Sequence, residues 1–315
     1  MKKILILLMA LVIPMSAVLV ACDFSSQPGT ITQGSEQESE QVASFRFQSH
    51  GNGTCSVYCE KMASEIVIPS TSPDGDLVVE IGKDAFSFVG GNTRIKSITI
   101  PDSVESIGEN AFYQCKGLTS IVIPDSVTSI AQNAFSRCKG LTNVTLSNNV
   151  KTIGDWAFFE CTGLTSIVIP GSVTKIGRTA FANCTSLTSV TVLGSETSMD
   201  SGVFSDCTSL TSVTLPEGLE KIVDSAFSGC TSLTSITIPD GVKKIGSAAF
   251  FDCKNLTSIT IPDSVREIDS RAFAGCENLS SVLFTGTQEQ WQKVFKQTEN
   301  EPLDAATKTY NAVSD

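Results

Sequence analysis

Residues 97–119 read SITIPDSVESIGENAFYQCKGLT, residues 120–142 read SIVIPDSVTSIAQNAFSRCKGLT and residues 258–280 read SITIPDSVREIDSRAFAGCENLS. They are copies of one 23-residue unit. Cys115, Cys138, Cys161, Cys184, Cys207, Cys230, Cys253 and Cys276 keep that step without slippage, so eight units run in phase over residues 97–280. A degenerate first copy over residues 65–96 keeps Ile66-Val67-Ile68-Pro69, Ile81-Gly82 and Ala85-Phe86, with extra residues in both loops. Repetition at a fixed period of this length predicts a solenoid. One unit cannot bury its own apolar edge, whereas stacked copies share a continuous core.

Within one unit, Leu118, Ile121 and Ile123 stand at positions 1, 4 and 6, the spacing of a leucine-rich repeat strand. Ile121 and Ile123 alternate and so point to one face. Pro124-Asp125 supplies turn chemistry, with Asp102, Asp125, Asp240 and Asp263 recurring there to stabilise the turn. Val127 and Ile130 return to the core. Ala134-Phe135 and Cys138 form a short convex segment, 3₁₀ or irregular. The expected fold is a mostly-β, curved solenoid with one parallel strand per coil, advancing about 4.8 Å each time.

The ends read as caps. Residues 44–64 hold Gly51-Asn52-Gly53 between apolar residues and predict a β-hairpin over the first coil. Residues 281–298 predict a short helical cap, with Trp291, Val294 and Phe295 on one helical face against the last coil. Such caps matter because an open sheet edge pairs with other chains. Residues 299–315 read as a flexible tail.

At the start, Lys2 and Lys3 precede an apolar run over residues 4–20, the charged and apolar regions of a secretory signal over residues 1–21. The run includes Pro14 and falls short of the roughly 20 residues that span a bilayer comfortably. Leu19-Val20-Ala21-Cys22 resembles a bacterial lipobox, which makes Cys22 the lipidated residue; a plain secreted protein and an uncleaved anchor are the alternatives. Residues 22–43, from Cys22 onward rich in Ser, Gln and Glu, read as a flexible tether. The expected address is the bacterial cell envelope, lipid-anchored, surface-exposed or periplasm-facing.

The pattern IPxSVxxIGxxAFxxCxxLTS, met in full over residues 100–120, resembles the BspA-like leucine-rich repeat family, also described from treponemal surface proteins. The likeness spans about residues 65–295. The next copy departs only at Ala131 and Asn143, neither an apolar core position. The stretch from Phe284 to Trp291 looks like the terminal element of such arrays. The resemblance implies a curved solenoid on a bacterial surface that binds macromolecules, with adhesion to host matrix proteins and epithelial cells associated with family members.

The chain has 315 residues, 22 Lys+Arg against 33 Asp+Glu, and one histidine. The acidic balance disfavours nucleic acid as a partner. A single imidazole, His50, in a cap loop leaves no route to a multi-histidine metal centre and makes a hydrolase a poor reading; no nucleophile-elbow, zincin, P-loop or dinucleotide fingerprint is present. No enzyme activity, cofactor or metal is expected. The eight ladder cysteines read as small buried hydrophobes with free thiols, with paired oxidation or a metal role as alternatives. Cys55 and Cys59, in CSVYC of the cap, either pair as a disulfide, stay free, or join His50 at a metal.

Two surfaces remain. The strand face is a nearly uniform Ser/Thr lattice that includes Thr145, Thr191, Thr214, Thr237 and Thr260. It is read either as the strand preference of threonine or as an adhesive, glycan-facing surface. Trp156, two residues before the repeat Phe, and Phe159 and Tyr113, just after it, break the repeat. They are expected to be exposed on the convex or flanking side, as a contact patch or as packing between coils. Residues 189–211 also depart, marking a local bend or relaxed drift. The expected function is non-catalytic binding of proteins or glycans, plausibly in adhesion, against the alternatives of an envelope scaffold or a substrate-capturing accessory lipoprotein.

Overall fold

A computed structural model describes residues 42–88 and 90–311. The expected signal sequence, Cys22 and nearly all of the expected tether lie outside the described residues. No helix among the described residues is long and apolar enough to cross a membrane.

The chain winds into a parallel β-solenoid. A hairpin of Ser44–Ser49 and Thr54–Lys61 opens it, the turn held by His50 N–H on the Thr54 carbonyl at 2.8 Å, with Gly51 and Gly53 at φ 79° and 81°. Thr54–Lys61 also pairs in parallel with Leu77–Ile81, so the hairpin is the first rung of the sheet and covers its edge.

Each coil then carries two strands, where sequence periodicity led us to expect one. The first is the three- or four-residue strand of the pattern, such as Ser97–Thr99 or Ser166–Ile169. The second has two residues, such as Ser106–Ile107 or Ser129–Ile130, and these stack in register from coil to coil. Two residues are too few to show an alternation, so this second row is invisible to pattern reading.

Between the strands, Val104 N–H bonds the Pro101 carbonyl, Val127 bonds Pro124 and Val265 bonds Pro262, all at 3.1 Å. The turn is therefore closed by backbone, with Pro as its first residue. Contrary to expectation, the side chains of Asp102, Asp125, Asp240 and Asp263 make no hydrogen bond in it; they are exposed and solvated.

The segment around each repeat Phe is a run of turns whose amides alternate in direction. Ala111, Tyr113 and Cys115 bond back to the carbonyls of Gly108, Asn110 and Phe112, whereas Asn110, Phe112 and Gln114 donate to Gln132, Ala134 and Ser136 of the next coil. Two left-handed residues per coil produce the alternation: Asn110 and Gln114 at φ 53° and 58°, Asn133 and Arg137 at 55° and 61°, and so on along the array.

Inside, nine phenylalanines from Phe86 to Phe273 form one stack, with ring centroids 4.9–5.8 Å apart and planes within 21°. Ile, Val, Ala, Leu and Cys ladders run beside it, almost all under 7% exposed. Core burial of this kind, about 25 cal/mol per Å² of apolar surface, holds the array together.

The C-terminal end is more ordered than its sequence suggested. Trp291, in the helix Gln288–Gln292, packs on Phe284 at 5.1 Å, and Val294 is buried beside it. Phe295, expected on that face, is 63% exposed, because the helix ends at Lys293 and Phe295–Lys296 becomes a two-residue strand on Glu267–Ile268. Residues 299–310, expected to be a flexible tail, contain a helix, Glu301–Ala305, and a strand, Thr307–Tyr310, parallel to Ser281–Phe284. The reason is the need to satisfy the last coil. Phe273 N–H, which would otherwise reach for a following coil, is taken by Asn300 Oδ1 at 3.0 Å, and Arg271 N–H by the Thr298 carbonyl at 3.1 Å.

Candidate functional site

The hydroxyl lattice on the strand face divides into two columns with different fates. Thr119, Thr142, Thr165, Thr188, Thr211 and Thr257 each donate to the main-chain carbonyl 23 residues earlier, at 3.0–3.4 Å. Their donors are consumed by the fold. Thr145, Thr191, Thr214, Thr237 and Thr260, three residues further along in each coil, make no hydrogen bond within the protein and stay exposed or half-exposed. Val67, Val122 and Val168 interleave at the same strand position, 69%, 63% and 55% exposed, and Leu283 and Thr309 continue the column into the C-terminal strands. Thr145 stands in an open groove of about 640 Å³ with Thr99, Ser120, Val122 and Asp125. The other four threonines lie further along the column. Sequence alone could not separate the two columns, since which threonine meets a carbonyl depends on the stagger between coils.

On the flank, Trp156, Phe159 and Tyr113 come together. They are half-buried, less open than their sequence positions suggested, and they line one shallow depression of about 550 Å³. None of the three belongs to the core or packs against it. Ser136 and Ala182, each 1% exposed, occupy the Phe159 position in the flanking coils. Trp156 sits at the left-handed position with φ 53°, where neighbouring coils place Asn110 and Asn133. A bulky aromatic there is conformationally costly, on the order of 1–3 kcal/mol. Arg137 donates to Tyr113 Oη at 3.3 Å and lies 3.5 Å from Glu160. Phe251, the other aromatic in this column, is covered by Arg271 at 4.7 Å.

In the cap, His50, Ser56 and Glu80 meet. His50 Nε2 lies 2.8 Å from Ser56 Oγ and 3.7 Å from Glu80, its Nδ1 lies 2.9 Å from Thr54 Oγ1, and Ser56 donates to the Glu80 carboxylate. A nucleophilic triad needs the carboxylate behind the imidazole and the hydroxyl in front. Here the carboxylate captures the hydroxyl itself and Thr54 stands behind the ring, so the cluster ties hairpin to sheet and leaves the serine unactivated. No group of three or more metal-ligating side chains occurs among the described residues.

The thiols have a defined task. Each ladder cysteine is free, buried, and donates Sγ–H to the Phe carbonyl of the preceding coil at 3.0–3.5 Å. They are more than small hydrophobes, because each adds a bond between coils to a carbonyl in a dry interior, in most copies one that also accepts a backbone amide. Burial pushes Cys161 and Cys207 up to about 12. Of the three readings open for Cys55 and Cys59, the structure shows free thiols, and the two sit on one strand. Four extended residues separate their Cα atoms by about 13 Å, far beyond disulfide reach. Burial raises Cys59 to about 11.

Parallel strands repeating every 23 residues around Leu, Ile and Phe ladders define a leucine-rich repeat solenoid. The profile described as BspA type leucine rich repeat region (6 copies) matches residues 79–211 and 197–305, and the chain belongs to that family. Among solved structures, the T. pallidum leucine-rich repeat protein is similar at 25% identity and TM-score 0.50, over 75% of this chain and 87% of that one. A leucine-rich cell surface protein from Faecalibacterium prausnitzii A2-165 is similar at 23% identity and TM-score 0.36, over 82% of this chain and 99% of that one. No curated protein matches this chain significantly.

Proposed function

We propose that the chain is a non-catalytic binding protein of a bacterial surface, tethered through lipid on Cys22, whose strand face engages proteins or glycans in adhesion. One observation carries this reading: a column of unpartnered threonine hydroxyls alternates with exposed valines on a face the fold does not need. Exposed Val122 and Val168 beside free hydroxyls offer apolar area and donors together, and an extended array multiplies modest contacts along its length. The surface location draws on the Faecalibacterium relative, which is described as a cell surface protein.

The test has two arms. Palmitate labelling in the native host should be abolished by Cys22→Ser; retained label removes the lipid anchor from the proposal. A Thr145→Lys/Thr191→Lys/Thr214→Lys variant should lose adherence of intact cells with its Tm unchanged, since these side chains are surface-facing. Adherence equal to that of the unaltered strain would favour an envelope scaffold instead.

A further inference from the structure

The flank carries a second, independent site. Two columns border the depression. One is the left-handed column, Asp84, Asn110, Asn133 and Trp156, with φ of 57°, 53°, 55° and 53°. The other lies three residues on and runs Ser87, Tyr113, Ser136, Phe159. The strip between them crosses four coils, about 14 Å at one strand spacing per step.

Its chemistry is mixed in a particular way. Trp156 and Phe159 supply apolar faces that the core does not use. Around them stand polar side chains that make no hydrogen bond within the protein: the Asp84 carboxylate, the Asn133 amide and the hydroxyls of Ser87 and Ser136. Ser136, 1% exposed, forms the floor of the depression. An aromatic side chain of a protein ligand would cover these groups and leave them unsatisfied, which disfavours it. A ligand with an apolar C–H face and a rim of hydroxyls satisfies both sets at once. The charge is also informative. Arg137 is already engaged by Tyr113 and Glu160, so it is not a free anion receptor, and the Asp84 carboxylate is answered by the Lys83 ammonium beside it. With its cation and its carboxylate both answered within the protein, the depression suits neutral ligands.

We infer that this depression binds a neutral oligosaccharide, with a pyranose ring resting on Trp156 and Phe159 and its hydroxyls meeting Asp84, Asn133 and Ser136. The left-handed Trp156 supports this, since Asn serves the same backbone position in the two preceding coils. The inference goes beyond the strand-face reading and does not depend on it.

The chain has two tryptophans, and Trp291 is 6% exposed in the C-terminal cap, so emission changes on sugar binding report Trp156. The full chain in detergent is titrated with cellohexaose, chitohexaose, maltohexaose and mannohexaose. At least one should shift the emission saturably. Trp156→Asn, which installs the residue of the two preceding coils, should weaken binding of that sugar at least tenfold by calorimetry while the Tm holds or rises. Absence of binding by all four at millimolar concentration overturns the inference, as does undiminished binding by Trp156→Asn, or saturable binding of a Trp-containing peptide with none of the sugars. If Trp156→Asn lowers the Tm, Asp84→Ala decides, because that exposed carboxylate lies outside the core; unchanged affinity then overturns the assignment. The Thr145→Lys/Thr191→Lys/Thr214→Lys variant should bind the sugar normally, which separates failure here from failure of the strand-face proposal.

Discussion

The coils before Met199 and those after Lys221 are built from the same unit, yet they do not join as the others do. The second row of strands runs unbroken from the hairpin to Ser198–Met199 and resumes at Lys221–Ile222. Elsewhere along it a glycine usually follows the Ile, and a Cβ on Gly108, Gly154, Gly177 or Gly246 would lie within 2.3–2.7 Å of the coil before. Ala131, Asp200 and Asp269 still donate across the gap, at 2.9 Å. Val223, branched at Cβ, makes no such bond. The preceding coil is altered as well. Its turn closes from Thr197 N–H to the Gly194 carbonyl, one residue later than the usual Pro-to-Val closure, and Thr197 is buried with its hydroxyl on the Val173 carbonyl at 2.7 Å. The Phe stack records the same fault: its two widest spacings, 5.7 and 5.8 Å, flank Phe204. The ring stack and the turn segment beside it, where Phe204 N–H still donates to the Ala226 carbonyl at 3.0 Å, therefore carry the array across a seam that the second strand row does not bridge.

That contrast can be broken experimentally. Phe158→Ala removes a ring stacked at 5.2 and 5.1 Å on both sides and should cost about 3–5 kcal/mol in urea denaturation. Phe204→Ala, beside the seam, should cost about 1 kcal/mol less; equal losses would mean that the seam leaves packing untouched. The thiols act on both sides of the seam alike. Because burial raises Cys161 and Cys207 from 9.0 to about 12, the folded state keeps them neutral while the unfolded state ionises first. Their contribution is complete below pH 9 and is lost as pH climbs from 9 toward 12. Denaturation midpoints should fall across that window, and less steeply in Cys161→Ala/Cys207→Ala.

Two smaller effects sharpen the picture. Val223→Gly should restore the missing rung, slowing exchange of amide 223 at least tenfold and adding about 1 kcal/mol, partly offset by glycine entropy. Undiminished exchange would place the cause in the displaced turn at Gly194. Thr165→Val, which gives up a bond to the Thr142 carbonyl, should destabilise by about 0.5 kcal/mol, whereas Thr214→Val should be neutral. Matching values by calorimetry would erase the distinction between the two hydroxyl columns.

Much of the core was legible from the unit, because positions such as Leu118, Phe135 and Cys138 recur in all eight in-phase copies and land inside every time. What escaped was everything decided between copies. The left-handed positions were masked by Trp156, Ala248 and Arg271, which hide a preference that Asn110 and Asn133 display. The tail escaped because Asn300 imitates a missing carbonyl with its side chain. CSVYC lies outside the repeat, so the unit could not choose among the readings of Cys55 and Cys59; the turn ends before Cys55 and the strand holds the thiols apart. Of the flank site, the aromatic residues stood out as departures from the repeat, while Asp84, Asn133 and Ser136 looked ordinary and matter only through adjacency.

Since each amide that crosses between coils reaches a partner about one period away, whole units can be gained or lost by recombination and the new junctions meet like with like. Such length changes are harmless at most boundaries. Within residues 84–159 they are not, for there the flank site draws one wall from each of four successive, non-identical copies, and a duplication in that interval would scatter them. Populations that vary in coil number should accordingly keep this interval intact while expanding or trimming the remainder.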